Sequence, residues 1–92
     1  MIATAEIQVI PLGVGTSVRD QVKKAHEILA AAGLHAQLHA YGTNVEGDLH
    51  QIFAAIEKIH EMLHADGVPR LATAIKVGTR TDKEPSLAAK LF

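Results

Sequence analysis

Residues 2–10 read IATAEIQVI, a segment in which apolar and polar side chains alternate. Apolar residues such as Ala5 and Ile7 fall on one side, and polar residues such as Glu6 fall on the other. A period of two predicts a β-strand with one face buried against a core. Pro11 follows directly and is expected to end the strand, because proline interrupts regular hydrogen bonding.

Five more segments follow this strand along the chain. Apolar residues recur at helical spacing over residues 18–32 and 48–65, which predicts two α-helices. Alternation returns over residues 35–41, 43–47 and 70–79, which predicts three further strands. The predicted order of elements is therefore strand, helix, strand, strand, helix, strand.

This order predicts a ferredoxin-like fold of the α+β class. Two right-handed crossovers and one hairpin build a βαββαβ sandwich, in which two helices cover one face of a four-stranded antiparallel sheet. The expected strand order is 4-1-3-2, and the other face of the sheet stays open. A chain of 92 residues has the size of a single domain, so residues 1–92 are predicted to form one ferredoxin-like domain.

The composition excludes several classes of protein. The sequence has no cysteine, which excludes disulfide scaffolds, thiolate zinc sites and cysteine nucleophiles. Its net charge of -1 argues against a nucleic-acid partner. No apolar run approaches the ~20 residues that cross a bilayer, and the first residues do not resemble a secretory signal. We therefore expect a cytoplasmic protein without a membrane partner, and its small size favours self-association.

The open face of the predicted sheet is the candidate site. By parity it carries polar residues from all four strands, and Glu6 is expected to neighbour Glu46 on one side and Lys76 on the other. Two carboxylates beside one ammonium group leave one carboxylate without a counter-charge. If this face is covered from water, that carboxylate needs a hydrogen-bond donor or a cation. The residues predicted on this face are Thr4, Glu6, Gln8, Gln37, His39, Tyr41, Asn44, Glu46, Ala72, Ala74 and Lys76.

Three interpretations of this face stay open from the residues alone. It is a solvated surface, or a sheet-to-sheet interface between copies of the chain, or a ligand site at the edge of such an interface. In the third case a planar, cationic ligand with a ring amine would suit Glu46. Thr43, Asn44 and His39 would orient that ligand.

Two further motifs have a structural and a functional interpretation. Residues 60–64 read HEMLH and match the H-E-x-x-H pattern of zinc hydrolases. No third ligand is obviously placed downstream, so we interpret His60 and His64 as a pair with hydrogen-bond partners inside the fold and expect no metal. The loop over residues 11–17 lacks the lysine of a phosphate-binding loop and is expected to be a turn, although Thr16 and Ser17 could offer hydroxyl groups to a site at the sheet edge.

The order and spacing of several motifs resemble the thiamine-binding protein family of the YkoF-like superfamily. The resemblance covers essentially the whole chain, and its first two motifs are fairly specific when they occur together. It is carried by AEIQVIPLG over residues 5–13, GTNVEGD over 42–48, HE over 60–61, IKV over 75–77, and then Arg80, Asp82 and Lys83.

The resemblance implies a ferredoxin-like protein that assembles through its sheets, commonly as a homotetramer. It also implies binding of thiamine or its hydroxymethylpyrimidine moiety, without catalysis and without a cofactor beyond this ligand. The GTNVEG motif carries the ligand role onto Thr43 and Glu46, and the first motif and its loop carry it onto Gln8, Thr16 and Ser17.

The sequence therefore predicts a non-catalytic, cytoplasmic, sheet-packed homo-oligomer that binds thiamine or hydroxymethylpyrimidine. With no tryptophan in the chain, the single tyrosine, Tyr41, is the best partner for a ring or a cation. The alternative is a purely structural or protein-interaction module without a physiological small ligand. No residue is predicted to be catalytic or to bind a metal, and the predicted ligand-binding residues are Gln8, Thr16, Ser17, His39, Tyr41, Thr43, Asn44 and Glu46.

Overall fold

The strands and helices follow the predicted order in a computed structural model that describes residues 1–15 and 18–90. All strand pairs are antiparallel, and the order across the sheet is β2-β3-β1-β4. The ferredoxin-like prediction is thus confirmed. The elements are β1 (Ile2–Leu12), α1 (Arg19–Ala31), β2 (His35–His39), β3 (Gly42–Asp48), α2 (Leu49–Ala65), β4 (Arg70–Gly78) and a single 3-10 turn (Ala88–Lys90).

The core lies between the two helices and one face of the sheet. Ile7 and Val45 project from β1 and β3, and they meet Leu29 of α1 and Ile52 and Ile59 of α2, all of them fully buried. Burying each such side chain contributes about 1.5–3 kcal/mol, so aliphatic packing replaces the aromatic residues that the sequence lacks. Among the residues that the structure describes, no helix is long and apolar enough to cross a membrane.

The prediction that Pro11 ends β1 is wrong. The strand continues to Leu12, and Pro11 lies opposite Leu71 of β4. The reason is the direction of the main chain. A Cβ on Gly42 would lie 2.7 Å from the carbonyl oxygen of Ile7, so this carbonyl points toward β3. Because main-chain groups alternate in direction along a strand, those of the other odd-numbered residues of β1 also point toward β3. Because β3 begins only at Gly42, no neighbouring strand within residues 1–15 and 18–90 needs the N–H that Pro11 lacks.

The second helix begins one residue later than predicted because Asp48 caps it. The Asp48 carboxylate accepts a hydrogen bond from the Gln51 N–H at 3.3 Å, which satisfies a free donor of the first turn. The N-terminal ammonium group of Met1 lies 3.2 Å from the same carboxylate. The ammonium group, and then the Gln51 N–H, lower the pKa of the Asp48 carboxyl below its usual value.

We predict that Gly42→Ala destabilises the protein by about 1–3 kcal/mol, because the added methyl group would collide with the rigid main chain of β1. Gly78→Ala is the matched control, since a Cβ there would come no closer than 3.7 Å, to the Thr4 hydroxyl oxygen. Urea unfolding followed by circular dichroism measures both changes. Equal midpoints for the two variants would contradict the close approach of β3 to β1.

Candidate functional site

The register of the sheet corrects one predicted neighbour on the open face. Glu6 lies on that face as expected, and Lys76 of β4 lies directly opposite it. On the other side, however, Glu6 faces Asn44, and it is Thr4 that faces Glu46. The two carboxylates are therefore diagonal rather than direct neighbours, because β1 and β3 pair one row away from the expected register.

The carboxylate of Glu46 already has a donor within the chain. Its Oε1 atom accepts a hydrogen bond from the Leu87 N–H at 2.7 Å. Leu87 belongs to residues 80–90, here called the tail, which follow β4 and return over the open face. Pro85 of the tail is buried, and Thr4 is only 5% exposed although it faces away from the helices. The tail, rather than a ligand, thus satisfies one oxygen of the acid that the sequence singled out.

A cleft of about 320 Å³, here called the open-face cleft, lies between the tail and the sheet. Glu6 and Lys76 stand in it with the amides of Gln37 and Asn44. Leu87 and Lys90 contribute the tail side. Its lining is completed by Thr4, Ala5, Val77 and Gly78.

A second cavity of about 300 Å³, here called the turn-side cavity, lies at the opposite end of the sheet. It forms because β1 runs beyond the start of β3 and leaves a gap that α1 and the turn between β2 and β3 enclose. Four polar residues, Gln8, His39, Tyr41 and Thr43, contribute to its wall. The other lining residues are Ile7, Val9, Ile10, Pro11, Val18, Val22, Ala25, Leu29, Ala40 and Gly42.

His39 lines the turn-side cavity, and its ring carries a buried nitrogen beside Glu6. The Tyr41 N–H donates to His39 Nδ1 at 3.2 Å, so Nδ1 is an acceptor and the neutral ring carries its proton on Nε2. The Nε2 atom lies 3.2 Å from a carboxylate oxygen of Glu6. That approach lacks hydrogen-bond geometry, and Nε2 is buried without a hydrogen-bond partner among the described residues. A buried donor of this kind suits a ligand acceptor.

The predicted ligand residues therefore do not form one site but lie in different parts of the structure. Gln8, His39, Tyr41 and Thr43 come together at the turn-side cavity, whereas Asn44 lines the open-face cleft. Glu46 lies beneath the tail, and Thr16 and Ser17 lie outside the described residues. Tyr41 corrects a second expectation, because it belongs to the turn rather than to β2 and is 79% exposed.

Several contributors to these sites were absent from the predicted ligand set, among them Glu6, Val9 and Val22. Glu6 was placed on the open face by parity, but nothing local to the sequence showed that it reaches His39. Val9 and Val22 line the turn-side cavity from two elements, and their spacing predicted only core packing. Only the packed fold could have shown these contacts, since the spacing of apolar residues does not distinguish a filled core from a cavity wall.

The two histidines of the HEMLH motif have partners inside the fold. His60 Nε2 lies 2.7 Å from the Thr73 hydroxyl oxygen, and His64 Nδ1 lies 2.7 Å from the Val68 carbonyl oxygen. Within residues 1–15 and 18–90, no group of three or more His, Cys, Asp or Glu side chains could hold a metal ion. The motif fixes the end of α2 against β4 and the segment before it.

The charged loop after β4 forms its own ion pair. Arg80 donates from Nε to Asp82 at 2.7 Å, and this hydrogen bond lowers the pKa of the Asp82 carboxyl to about 2. Both groups are exposed, so solvent screens the pair and its effect on stability is small. The guanidinium group is therefore engaged within the loop where the tail begins.

The fold is shared with solved structures from archaea and bacteria. The structure of protein MJ1052 from Methanocaldococcus jannaschii has a TM-score of 0.90 and 38% identity, and the match covers 97% of this chain and 91% of that one. A Thermotoga maritima protein with a provisional thiamine biosynthesis/salvage assignment, TM0486, has a TM-score of 0.86. Its identity is 16%, over 99% of this chain and 96% of that chain, so this second likeness concerns the fold alone.

The sequence comparisons identify the family. The family model for the thiamine-binding protein matches residues 5–92, and the chain belongs to this family. UPF0045 protein sll0230 of Synechocystis sp. is 45% identical over 86 residues, which are 94% of this chain and 71% of that protein. UPF0045 protein MJ1052 of Methanocaldococcus jannaschii is 40% identical over 87 residues, which are 95% of this chain and 86% of that protein.

We predict that Glu46→Ala releases the tail and speeds hydrogen exchange of the Leu87 amide at least about tenfold, because a bond to a charged acceptor is worth roughly 1.5–3 kcal/mol. Glu46→Gln keeps an acceptor oxygen and should cause a smaller increase. Exchange measured by NMR tests this, with the Val68 amide, which donates to Leu63 in the core, as the internal control. An unchanged Leu87 rate in Glu46→Ala would show that the tail does not depend on this contact.

Proposed function

We propose that this protein binds thiamine or its hydroxymethylpyrimidine moiety without catalysis, and that the pyrimidine ring occupies the turn-side cavity. The observation that carries the proposal is His39, which lines a mostly apolar cavity and whose buried Nε2–H has no hydrogen-bond partner among the described residues. Family membership supports the ligand class. An apolar cavity with a few convergent polar groups is the usual form of a small-molecule site.

The chemistry of an aminopyrimidine matches this cavity. Its ring nitrogens accept hydrogen bonds, and its exocyclic amine donates them, so the Nε2–H of His39 suits a ring nitrogen. The odd-numbered residues of β1 direct their main chain toward the β3 side, and beyond Gly42 that side is open. Val9 therefore presents an N–H and a C=O side by side to the cavity, a pairing complementary to a ring nitrogen beside an amine.

The thiazolium half of thiamine would sit at the mouth of the cavity. A cavity of about 300 Å³ is at the lower limit for ligand pockets, which fits one ring better than two. The exposed ring of Tyr41 can stack on a cationic heterocycle there. The carboxylate of Glu6, beside His39, would offset the positive charge.

The proposal includes no covalent step, metal or further cofactor, and it keeps the predicted cytoplasmic location. It also includes self-association through the open faces of the sheets, up to the homotetramer predicted from the sequence. Two apolar side chains support that packing, since Ile10 and Leu12 are exposed on the open face at the end that the tail leaves uncovered. Sizing over a range of concentrations, with and without thiamine, measures whether assembly depends on the ligand.

We predict that titration of thiamine or hydroxymethylpyrimidine into the protein gives saturable heat. His39→Ala should weaken both ligands by about tenfold, roughly 1.4 kcal/mol, because both contain the pyrimidine that its buried donor would meet. His50→Ala is the matched control, since His50 is an exposed histidine on α2 outside both clefts. Saturable binding that His39→Ala leaves unchanged would remove the pyrimidine from this cavity.

We further predict that Tyr41→Leu weakens thiamine by about threefold and leaves hydroxymethylpyrimidine nearly unchanged, because only thiamine carries the cation that the ring would stack on. Phe53→Leu is the control, as Phe53 is an exposed aromatic residue on α2 that lines neither cleft. Isothermal titration calorimetry with both ligands separates these outcomes. If neither ligand gives heat with the folded protein, the binding function itself fails.

A further inference from the structure

The open-face cleft brings together two ammonium groups from separate parts of the chain. Lys76 projects from β4, and Lys90 belongs to the 3-10 turn at the end of the tail. The proposed thiamine site is the turn-side cavity, so that function leaves this cleft without a role. Its volume of about 320 Å³ is at the lower limit for ligand pockets, which suits a small molecule.

The sheet register places four polar side chains in one row along this cleft. Glu6 lies opposite Lys76 on one side and opposite Asn44 on the other. Asn44 in turn lies opposite Gln37 of β2. Residues directly opposite each other in a sheet are neighbours on the same face. The row therefore holds two amides, a carboxylate and an ammonium group side by side, and the amides offer N–H donors near the cation.

Neither lysine of the cleft has a counter-charge in the part of the chain that the structure describes. No carboxylate oxygen there lies within 4.0 Å of either ammonium group. Glu6 is directly opposite Lys76, yet its carboxylate oxygen lies 3.2 Å from His39 Nε2 instead. Glu46 accepts from the Leu87 N–H and does not line the cleft. One carboxylate thus faces two ammonium groups, a balance that attracts an anion.

The wall of the cleft beside the end of β4 is small and polar. Thr4 lines it and is only 5% exposed. A Cβ on Gly78 would lie 3.7 Å from the Thr4 hydroxyl oxygen, so the missing side chain leaves space beside this hydroxyl group. A hydroxyl group can donate to an anionic oxygen. Cations, neutral donors and the apolar side chain of Leu87 therefore converge on one small volume.

We propose that the open-face cleft binds a small oxyanion, a phosphate or carboxylate group, between Lys76 of the sheet and Lys90 of the tail. Both kinds of group present the anionic oxygens that ammonium and amide N–H donors recognise. Because one lysine lies on the sheet and the other on the tail, the bound anion joins the tail to the sheet. It acts in the same direction as the 2.7 Å hydrogen bond from the Leu87 N–H to Glu46.

NMR titration of the full chain without thiamine tests the proposal. Sodium phosphate and sodium malonate are the two probes, with sodium chloride holding the ionic strength constant. The side-chain amide signals of Asn44 and Gln37 should shift saturably, and exchange of the Leu87 amide should slow at least about threefold near saturation. The Val68 amide is the internal control, because it donates to Leu63 in the core.

The two probes distinguish the source of the oxyanion. Saturation by phosphate alone identifies a phosphate group as the ligand, and saturation by malonate alone identifies a carboxylate. Saturation by both supports a general oxyanion site. The absence of saturable shifts with either probe would overturn the proposal.

Lysine variants locate the anion within the cleft. Lys76→Met and Lys90→Met should each weaken the anion at least about fivefold, because each removes a charge-assisted hydrogen bond and keeps most of the length of the side chain. Lys58→Met is the matched control, since Lys58 is exposed on α2 and lines neither cleft. Equal weakening in all three variants would mean attraction by overall charge and would contradict a site between Lys76 and Lys90.

Glu6→Gln separates this site from the proposed thiamine site. It removes the carboxylate that lines the cleft, so it should strengthen the anion about threefold. The same variant should weaken thiamine, whose positive charge Glu6 would offset from the other side. Weaker anion binding in Glu6→Gln would overturn the proposed oxyanion site. A failure of thiamine binding alone would leave that site intact, because the anion titrations contain no thiamine.

Discussion

The antiparallel pairing of β3 with β1 sets the direction of the main-chain groups throughout the sheet, and the close contact at Gly42 shows that direction. The carbonyl of Ile7 points toward β3, and every odd-numbered residue of β1 follows it. Because β3 begins at Gly42, the far end of β1 has an open side, where Pro11 is tolerated and the turn-side cavity forms. Local strand geometry thus determines where the proposed ligand site forms.

Part of the open face is covered by the tail, which a hydrogen bond within the chain holds in place. A half-buried carboxylate needs donors, and Glu46 obtains one from the main chain of the tail, which brings residues 80–90 over one end of the sheet. Glu6 lines the cleft beside the tail, and its carboxylate meets the ring of His39. In the proposed site, the acid beside a bound cation would be Glu6. The acid that the sequence favoured, Glu46, contributes instead to the position of the tail.

The fold could be predicted from the sequence because its signals are local. Alternation over residues 2–10 and helical spacing over residues 48–65 determine the elements, and their order leaves few topologies. Pro11 was misjudged because its effect depends on which side of β1 has a neighbour, a property of the assembled sheet. Parity placed Glu6 on the correct face, but it could not supply the register that sets Glu6 opposite Asn44. The contact of Glu46 with Leu87 joins residues 41 positions apart, and no local pattern encodes it.

One imidazole ring separates the two clefts of this protein. His39 lines the turn-side cavity, and its Nε2 atom touches Glu6, which lines the open-face cleft. Its other nitrogen is held by the Tyr41 N–H, so the ring cannot rotate without breaking that bond. Magnetic resonance signals of this single side chain would consequently serve as a natural, label-free reporter that senses occupancy on either side of the sheet.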